Sequence, residues 1–499
     1  MQPPNRRGNT HAGRTPHKSP RGPRTAAGTG FQTAPEVQLE VTGLGHGGEG
    51  VARHEGLAVF VPGAMPGDVV TARLTEVRTT YARAELVSID RPAAERVEAR
   101  CPIYEACGGC QLQHVSYPRQ LELKTQQVKD ALQRIGHLDP ALVRDTIGAQ
   151  NPWNYRNKAQ FPVGLLNLGP AVGWAAGAQP RIVAGLYARG THQVIDADAC
   201  LIQSDTNNRI LAAAKTLIIQ YGYPVYNEKN GAGLVRHVLA RTGTKSGQAM
   251  TVLVTAERRL PRAQEFARDL TAAVPGLVTV VQNVNSRRTN VVLGEENITL
   301  AGPGVIEDQL LDLTFSISPR SFFQVNPEQT EVLYGKALEF AGLTGDEFVI
   351  DAYCGIGTIS LFLARRAGRV LGIEEVPEAI DDARENAVRN GLDNAEFRAG
   401  TVEGWAPRLV AEGLHPDVVV VDPPRAGVAT TALDAFVQMG PRRIVYVSCN
   451  PATLARDLAY LAERGYRCEE VQPVDMFPHT SHVECCARIV NAQTPPAVT

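Results

Sequence analysis

Cys449 is the residue of this sequence with the clearest chemical potential. It follows the apolar run at 443–447 in Ser448-Cys449-Asn450-Pro451, which places it in a turn between a predicted strand and a predicted helix. A free thiol has a pKa of about 8.5, so only about 3% of it is thiolate at neutral pH. A helix N-terminus lowers that pKa by less than about one unit. Cysteine is nevertheless intrinsically nucleophilic, and its position after a strand predicts a covalent nucleophile.

Acidic residues end three further predicted strands. Asp351 is followed by a Gly-x-Gly loop, Glu374 lies 23 residues later, and Asp422 opens the rigid turn Asp-Pro-Pro-Arg425. A carboxylate at the second of these positions can bind ribose hydroxyls. The Gly-x-Gly spacing, without a third glycine, favours S-adenosylmethionine over a dinucleotide because no pyrophosphate has to be held. Ligands of such sheets bind beyond the carboxyl ends of the strands, so the pattern predicts a methyl-donor site.

A cysteine nucleophile beside a methyl donor limits the kinds of methyl acceptor that the site is expected to serve. An amine attacks a methyl group with its own lone pair, whereas C5 of a pyrimidine becomes nucleophilic only after something has added to C6. A base must then remove the C5 proton; Glu484 is the candidate, with His479 and His482 as competitors. A cytosine-C5 enzyme is expected to carry its cysteine in a Pro-Cys turn after the fourth strand, which this chain lacks. Uracil is therefore the predicted base.

The elements that would position these residues are clearest near the C-terminus. Strand and helix patterns alternate over residues 317–492, which predicts an α/β, doubly wound, Rossmann-like domain with a mainly parallel sheet. Residues 93–316 mix strands and helices and predict an α+β central domain. Short period-two strands with glycine turns predict an OB-type β-barrel at 35–92. The chain is therefore predicted to be multidomain.

The composition and the net charge limit which binding partners and which cellular compartment are expected. The 499 residues carry 50 basic and 52 acidic side chains, which excludes a wholly basic coat. Residues 1–34 hold six basic and no acidic side chains and are predicted to be a disordered tail, either solvated or in contact with RNA. Residues 493–499 form a second short tail. No apolar run suits a membrane helix, and nine cysteines without a secretory signal predict a reduced, cytoplasmic protein. The sequence does not fix the oligomeric state, and a monomer is the expectation.

The motifs together resemble the RNA uracil-5-methyltransferase family, and specifically its bacterial 23S ribosomal RNA branch, over residues 37–490. The matching segments are residues 318–326, the Tyr-Cys-Gly-x-Gly loop, Asp-Pro-Pro-Arg, Ser-Cys-Asn and His-Val-Glu. The resemblance implies a methyltransferase in which Cys449 is the nucleophile and Glu484 the proton acceptor. It also implies S-adenosylmethionine contacts from Gln324, Tyr353, Glu374 and Asp422.

The predicted barrel resembles a TRAM domain, an RNA-binding module. Transfer-RNA members of the family typically lack this barrel and the cysteine cluster described next, so 23S ribosomal RNA is the predicted partner and transfer RNA the alternative. A non-catalytic RNA-binding ribosome-assembly factor is an alternative of another class, and the complete set of predicted site residues argues against it. Phe322 and Phe323 are candidates for stacking on the target base, although core packing of at least one of them is the favoured alternative. The segments Tyr155–Lys158 and Arg236-His237 are candidates for phosphate contact, with ordinary exposed pairs as the alternative.

Three cysteines lie close together in Cys101-x5-Cys107-Gly-Gly-Cys110. Four thiolates suit either an iron–sulfur cluster or structural zinc, and the spacing alone does not decide between them. The family resemblance supplies Cys200 as the fourth ligand and implies a [4Fe-4S] cluster of structural role, with zinc as the alternative. Cys354, Cys468, Cys485 and Cys486 are predicted to pack in the core.

Overall fold

The described chain opens with a closed five-stranded barrel. The computed structural model describes residues 35–166 and 181–493, so the predicted tail 1–34 lies outside the described residues. Alternate barrel residues such as Leu39, Val41, Val59 and Val61 are buried, which is the period-two pattern of the sequence. Neighbouring strands follow the order β1-β2-β3-β5-β4, and the predicted barrel is confirmed. Its strands are β1 (Glu36–Leu44), β2 (Gly50–His54), β3 (Leu57–Val61), β4 (Val69–Val77) and β5 (Tyr81–Arg91).

The central part is built on a seven-stranded sheet in the order β12-β11-β10-β9-β6-β7-β8. Two helices, α2 (Asp205–Gln220) and α3 (Ala263–Ala273), cover one face of this sheet and bury residues such as Phe161 and Phe266. A short hairpin, β13 (Ile306–Leu310) and β14 (Leu313–Ile317), leads to the C-terminal part. The sheet strands are β6 (Lys158–Leu166), β7 (Arg181–Tyr187), β8 (Val194–Asp196), β9 (Val235–Thr242), β10 (Ala249–Thr255), β11 (Leu277–Val284) and β12 (Glu296–Ala301).

The C-terminal part is a second seven-stranded sheet, in the order β17-β16-β15-β18-β19-β21-β20. Five neighbouring strands run parallel, and β21 pairs antiparallel with both β19 and β20, so the predicted doubly wound fold is confirmed. The strands are β15 (Phe348–Ala352), β16 (Arg369–Glu374), β17 (Ala395–Ala399), β18 (Val418–Val421), β19 (Arg443–Ser448), β20 (Tyr466–Val474) and β21 (Glu484–Asn491). The helices are α4 (Pro327–Ala341), α5 (Thr358–Ala364), α6 (Pro377–Arg389), α7 (Val402–Ala411), α8 (Thr430–Met439) and α9 (Pro451–Ala462).

Local signals explain where the helices next to the site begin. The predicted cap Asn326 accepts a hydrogen bond from the Gln329 amide at 3.3 Å, and Pro327 occupies the first helical position of α4. Asn450 caps α9 in the same way, accepting from the Ala452 amide at 3.1 Å. Both caps hold the residues before them, Gln324 and Cys449, at the sheet edge.

Helix α1 (Tyr117–Arg134) joins the N-terminal half of the chain to the C-terminal sheet. Val128 and Leu132 are fully buried in the same apolar cluster as strand and helix residues of the C-terminal part. A 3-10 turn at Pro140–Leu142 follows, and Val143 joins that cluster. Residues that the sequence assigned to the central domain therefore help to build the C-terminal core. Within residues 35–166 and 181–493, no helix combines the length and hydrophobicity needed to cross a membrane.

Candidate active site

A cavity of about 750 Å³ opens at the carboxyl ends of the parallel strands. The structure brings together all six side chains that the sequence predicts for catalysis and for the methyl donor, and all of them line this cavity: Gln324, Tyr353, Glu374, Asp422, Cys449 and Glu484. Each lies at the end of a parallel strand, just after one, at the start of the antiparallel β21, or just before a helix cap, so the sheet gathers them at one edge. Their individual roles stay predictions, and their geometry is described next.

The donor side of the cavity is formed by the turns after β15 and β16. Tyr353 has a left-handed backbone with φ of 70°, and Gly355 follows with φ of 56°. The Gly355 amide donates to Glu374 Oε2 at 3.1 Å, and the Val376 amide donates to Glu374 Oε1 at 3.0 Å. The glycine loop and the strand-end carboxylate therefore fix each other, and this carboxylate lines the cavity at the place predicted for ribose.

Two acids on the donor side differ from the sequence expectation. Asp351, predicted as a strand-end acid of the donor site, is only 1% exposed and does not line the cavity; it accepts a hydrogen bond from the Ser360 hydroxyl. Burial raises the pKa of Asp351 to about 7. Glu403, on α7, was not predicted, but it lines the cavity and accepts from the Tyr353 hydroxyl at 3.2 Å. No local signal marks Glu403, because only the folding of α7 beside β16 brings it there.

The Asp-Pro-Pro-Arg turn after β18 connects the donor side to the nucleophile. Burial raises the pKa of Asp422 to about 6. The Arg425 carbonyl accepts from Asn450 Nδ2 at 3.0 Å and from the Thr453 hydroxyl at 3.4 Å, so this turn is fixed to the start of α9. The arrangement holds Asp422 and Cys449 in the same wall of the cavity.

Burial favours the neutral forms of both Cys449 and Glu484. Burial raises the pKa of the Cys449 thiol to about 11, the neighbouring Glu484 and Asp422 act in the same direction, and Arg425 opposes them. Glu484 is 5% exposed as the first residue of β21, and burial, with Asp422 nearby, raises its pKa well above the usual range. The predicted help from the α9 N-terminus is therefore outweighed by burial and by neighbouring acids.

The two histidine competitors have different surroundings. His479 does not line the cavity: its ring stacks on Trp153 with centroids 3.8 Å apart, and its amide donates to Gln120 Oε1 at 3.0 Å. His482 does line the cavity, with its Nε2 3.5 Å from Arg425 Nη2. Burial lowers the pKa of each ring to about 4, so neither is charged at neutral pH.

The segment that leads to Glu484 is held by α1, which the sequence did not indicate. Lys124 Nζ donates to Asp475 Oδ1 at 2.5 Å and to the Phe477 carbonyl at 3.1 Å, and both charged side chains are fully buried. The Tyr117 hydroxyl donates to Asp475 Oδ2 at 3.0 Å. These partners lie about 350 residues apart in the sequence, so spacing cannot reveal them.

Only some of the aromatic and basic residues considered for RNA contact are accessible to RNA. Phe322 is 65% exposed and lines the cavity, whereas Phe323 is 4% exposed and packs in the core. Arg156 lines the cavity, as its predicted phosphate contact requires. Arg236 and His237 are not an exposed pair, because they are 4% and 6% exposed in a central strand of the sheet.

The four predicted cluster cysteines converge on a separate cavity of about 390 Å³: Cys101, Cys107, Cys110 and Cys200. Burial raises the pKa of the Cys110 thiol to about 12, and Cys200 and Cys107 nearby add to the shift. Gly109 and Arg156 line both this cavity and the catalytic one. In the described part of the chain, no group of three or more His, Cys, Asp or Glu side chains is arranged to hold a metal ion, and the predicted cluster stays a prediction.

Comparison with known proteins gives the family. A sequence model described as tRNA (Uracil-5-)-methyltransferase matches residues 243–491, and a TRAM domain model matches residues 34–87. A Bacillus cereus protein named "Uncharacterized RNA methyltransferase" is 47% identical over 444 residues, which cover 89% of this chain and 94% of the relative. A similarly named protein of Halalkalibacterium halodurans is 47% identical over 451 residues, which cover 90% of this chain and 96% of the relative. The chain belongs to the RNA (uracil-5-)-methyltransferase family.

A solved structure in the same family bears on the choice of RNA. The tRNA (uracil-54, C5)-methyltransferase of Pyrococcus abyssi, in complex with S-adenosyl-L-homocysteine, matches with a TM-score of 0.72 and 28% identity, over 91% of this chain and 100% of that chain. An enzyme named for transfer RNA therefore matches nearly the whole of this chain, and transfer RNA stays the alternative to the predicted 23S ribosomal RNA.

Proposed function

We propose that this family member transfers a methyl group from S-adenosylmethionine to C5 of a uridine in RNA, through a covalent bond between Cys449 and uracil C6. The observation that carries the proposal is one cavity that brings four groups together. They are the Cys449 thiol, the buried Glu484 carboxyl group, Asp422 and the strand-end Glu374. A non-catalytic RNA-binding factor would have no need to keep these groups together. Gln324, Tyr353, Glu374 and Asp422 are proposed to hold the methyl donor.

The first step forms a carbon–sulfur bond. Cys449 loses its proton to solvent water and attacks C6, and the electron pair of the C5–C6 double bond moves towards C5 and O4, which gives an enolate. C5 then attacks the methyl carbon, and the donor's sulfonium becomes a neutral thioether. A sulfonium carries a positive charge, so donor binding favours the anionic forms of Cys449 and Asp422, whose pKa values burial raises to about 11 and about 6.

The second step restores the aromatic base. A base removes the proton from C5, the electron pair re-forms the C5–C6 double bond, and the Cys449 thiolate leaves. Glu484 is proposed as this base because it lines the cavity and because its raised pKa makes its carboxylate a stronger base than an exposed one. His482 also lines the cavity, but its pKa of about 4 makes it a weak base.

We infer that 23S ribosomal RNA is the substrate, on the strength of the sequence motifs shared with that branch. Because ribosomal RNA is transcribed and assembled in the cytoplasm, this substrate places the enzyme there. Transfer RNA is the second candidate, and it is favoured by the Pyrococcus abyssi relative, which is named for transfer-RNA uracil-54. Unmodified transcripts of both RNAs, incubated with radiolabelled methyl donor, distinguish the two candidates.

The covalent step is tested with RNA that contains 5-fluorouridine. Fluorine cannot leave C5 as a proton, so a protein–RNA adduct should persist through denaturing electrophoresis. Cys449→Ala should give no adduct, whereas Cys468→Ala, which changes a buried cysteine outside the catalytic cavity, should leave it unchanged. With ordinary RNA, Glu484→Gln should accumulate the adduct that the wild-type enzyme resolves. Adduct formation by Cys449→Ala would refute the mechanism.

We also propose that the four converging cysteines hold a [4Fe-4S] cluster. The four thiols line one cavity of about 390 Å³ together with Arg156 and Lys158, and burial lowers the pKa of Lys158 to about 7. Four cysteine thiolates are the donor set of a [4Fe-4S] cluster, so the residue types present suit this group. When bound, the cluster would tie the 101–110 segment to Cys200. Protein purified without oxygen should contain iron and sulfide, and zinc without iron would overturn this assignment.

A further inference from the structure

A third cavity, of about 470 Å³, lies in the central sheet and has no part in the proposed reaction. We call it the sheet pocket, and it is lined by strands β6, β7 and β9 together with the loop after α2. Its side chains include Tyr187, His192, Tyr226, Lys229, Arg236 and His237. The sequence singled out Arg236-His237 for RNA contact, and both residues line this pocket rather than the catalytic cavity.

Lys158 in the cysteine cavity and His237 in the sheet pocket project from the same face of the central sheet. Lys158 pairs with Arg241 and Pro162 with His237 across β6 and β9, and such opposed residues project from the same side. Lys158 lines the cysteine cavity, whereas His237 lines the sheet pocket. Lys158 and Pro162, which mark the positions of the two cavities along β6, are four positions apart. This spacing is a distance of about 13 Å along a strand.

One short loop connects the sheet pocket to the catalytic cavity. Gly109 lines the catalytic cavity, and the adjacent Gly108 donates its amide to the Tyr187 carbonyl at 3.1 Å. A side chain at Gly108 would approach the Tyr187 carbonyl to 3.4 Å. The two sites are therefore neighbours across the Cys107–Cys110 loop. This adjacency would let one RNA strand occupy both sites.

Two stacked pairs of planar groups form the walls of the sheet pocket. The rings of Tyr187 and His192 stack with centroids 5.4 Å apart and an interplanar angle of 29°. The guanidinium carbon of Arg236 lies 4.6 Å from the centre of the Tyr226 ring. Arg236 Nη1 donates to the carbonyls of Asn285 and Arg287, so this guanidinium is fixed as a support for Tyr226. Rigid planar groups of this kind are what a nucleobase stacks on.

The polar groups of the sheet pocket suit an RNA strand. The Tyr187 hydroxyl lies 3.2 Å from His237 Nε2, which fixes the tyrosine ring. Lys229 and Arg236 contribute positive charge; Glu228 is an acid in the lining, and it is 2.9 Å from His192 Nδ1. Because Glu228 is already paired with His192, the exposed Lys229 at the rim of the pocket remains available to a phosphate group.

We propose that the sheet pocket binds an unpaired base of the RNA substrate, a few nucleotides away from the target uridine, by stacking on Tyr187. This inference rests on the proposed function, because the occupant is part of the same RNA. It adds a determinant of substrate choice that does not touch the reacting atoms. RNA with an unpaired base at the required distance is bound more tightly than RNA without it.

The test compares two RNAs and two variants of one residue. The RNAs are the full substrate transcript and the shortest fragment around the target uridine that the wild-type enzyme still methylates. Tyr187→Ala removes the ring, and Tyr187→Phe keeps it. We expect Tyr187→Ala to raise KM for the full transcript about 5- to 100-fold, the range expected for one base–aromatic stack. Tyr187→Phe should stay close to wild type.

Activity on the short fragment is the control for folding and chemistry. Tyr187→Ala should methylate this fragment with unchanged kcat and KM, because the fragment does not reach the sheet pocket. An unchanged KM for the full transcript would overturn the proposal, whereas absence of methylation by the wild-type enzyme would overturn the proposed function instead. Ultraviolet cross-linking of the transcript, followed by mass spectrometry, should place a nucleotide on a peptide that contains Tyr187 or Tyr226. Cross-links confined to the catalytic cavity would contradict the proposal.

Discussion

Cys449 and Glu484 must each be anionic at one step of the proposed reaction, yet burial raises the pKa of both. The fold therefore favours the neutral form of each group, and the positive charge of the bound methyl donor favours the thiolate of Cys449. The half-buried thiol of Cys449 is also protected from oxidation while it is neutral, since the thiolate is the form that reacts. This arrangement makes the reaction sensitive to pH above neutrality.

The pH dependence of the chemical step follows from the sign of this shift. With a pKa of about 11 for Cys449, the thiolate fraction grows about tenfold for each pH unit in the neutral range. We expect the single-turnover methylation rate, with saturating RNA and donor, to rise with pH between 6 and 9. RNA affinity measured over the same range is the control. A rate that is flat over this range would show that deprotonation of the thiol does not limit the reaction.

The buried pair Lys124–Asp475 gives a prediction for stability. Lys124→Met leaves Asp475 as an uncompensated buried charge, which should lower the free energy of unfolding by about 3 kcal/mol. Arg134→Met on the same helix removes an exposed pair with Asp130 and should change the unfolding free energy by less than about 0.5 kcal/mol. Urea denaturation measures both variants. Equal effects would mean that the buried pair does not hold α1 to the C-terminal part.

At the scale of elements, loops from distant parts of the chain meet behind the catalytic segment. The β1–β2 loop of the barrel reaches it at Gly48, whose φ is 85°. An added Cβ there would lie 2.6 Å from the Gln111 Cβ and 3.3 Å from the Ser481 Cβ. The amides of Gln111 and Leu112 donate to the His479 carbonyl at 3.0 and 2.9 Å. The barrel is thus fitted against the segment that carries Glu484.

The fit of the β1–β2 loop is tested by a matched pair of glycine variants. Gly48→Ala should lower kcat, because its side chain must displace Gln111 and the catalytic segment. Gly56→Ala carries the same backbone strain, with φ of 82°, but meets no atom within 4 Å. It should cost about 1 kcal/mol of stability and leave kcat unchanged. If both variants lose the same activity, backbone strain alone accounts for the loss.

At the scale of the whole molecule, charge is divided unequally along the chain. Residues 1–34 carry six basic and no acidic side chains, whereas the net charge of the full chain is −2. The remaining residues therefore carry a net charge of −8 and would repel a polyanion on average. RNA binding must then depend on local features, such as Arg156 in the catalytic cavity, and on the basic segment.

Removal of residues 1–34 should weaken RNA binding and make it less sensitive to salt. Each phosphate contact that is lost reduces the slope of log affinity against log salt by about 0.7 for single-stranded RNA. Filter binding of the truncated and full-length proteins over a series of salt concentrations measures this slope. Methylation of a short RNA fragment should be unchanged. Identical slopes would show that the basic segment makes no contact with RNA.

The sequence determined the local parts of this protein. Neighbouring residues alone set several features of the site. These features are the cap Asn326, the Gly-x-Gly loop, the strand-end Glu374 and the turn before α9. Because carboxyl ends of parallel strands share one edge, the alternation of strands and helices also sufficed to bring the predicted site residues into one cavity. The barrel was predictable for the same reason, since its pattern of burial has a period of two residues.

Only the tertiary structure decided which groups support that cavity and how they are charged. Several supporting contacts join residues from separate elements, so the spacing of residues in the sequence cannot predict them. They are the contact of Glu403 with Tyr353, the Lys124–Asp475 ion pair, and the packing of Gly48 against Gln111. The pKa shifts of Cys449 and Glu484 depend on how much water the fold excludes and on which acids it places nearby. Local sequence specifies turns and strand ends, whereas desolvation and long-range contacts exist only once the chain has folded.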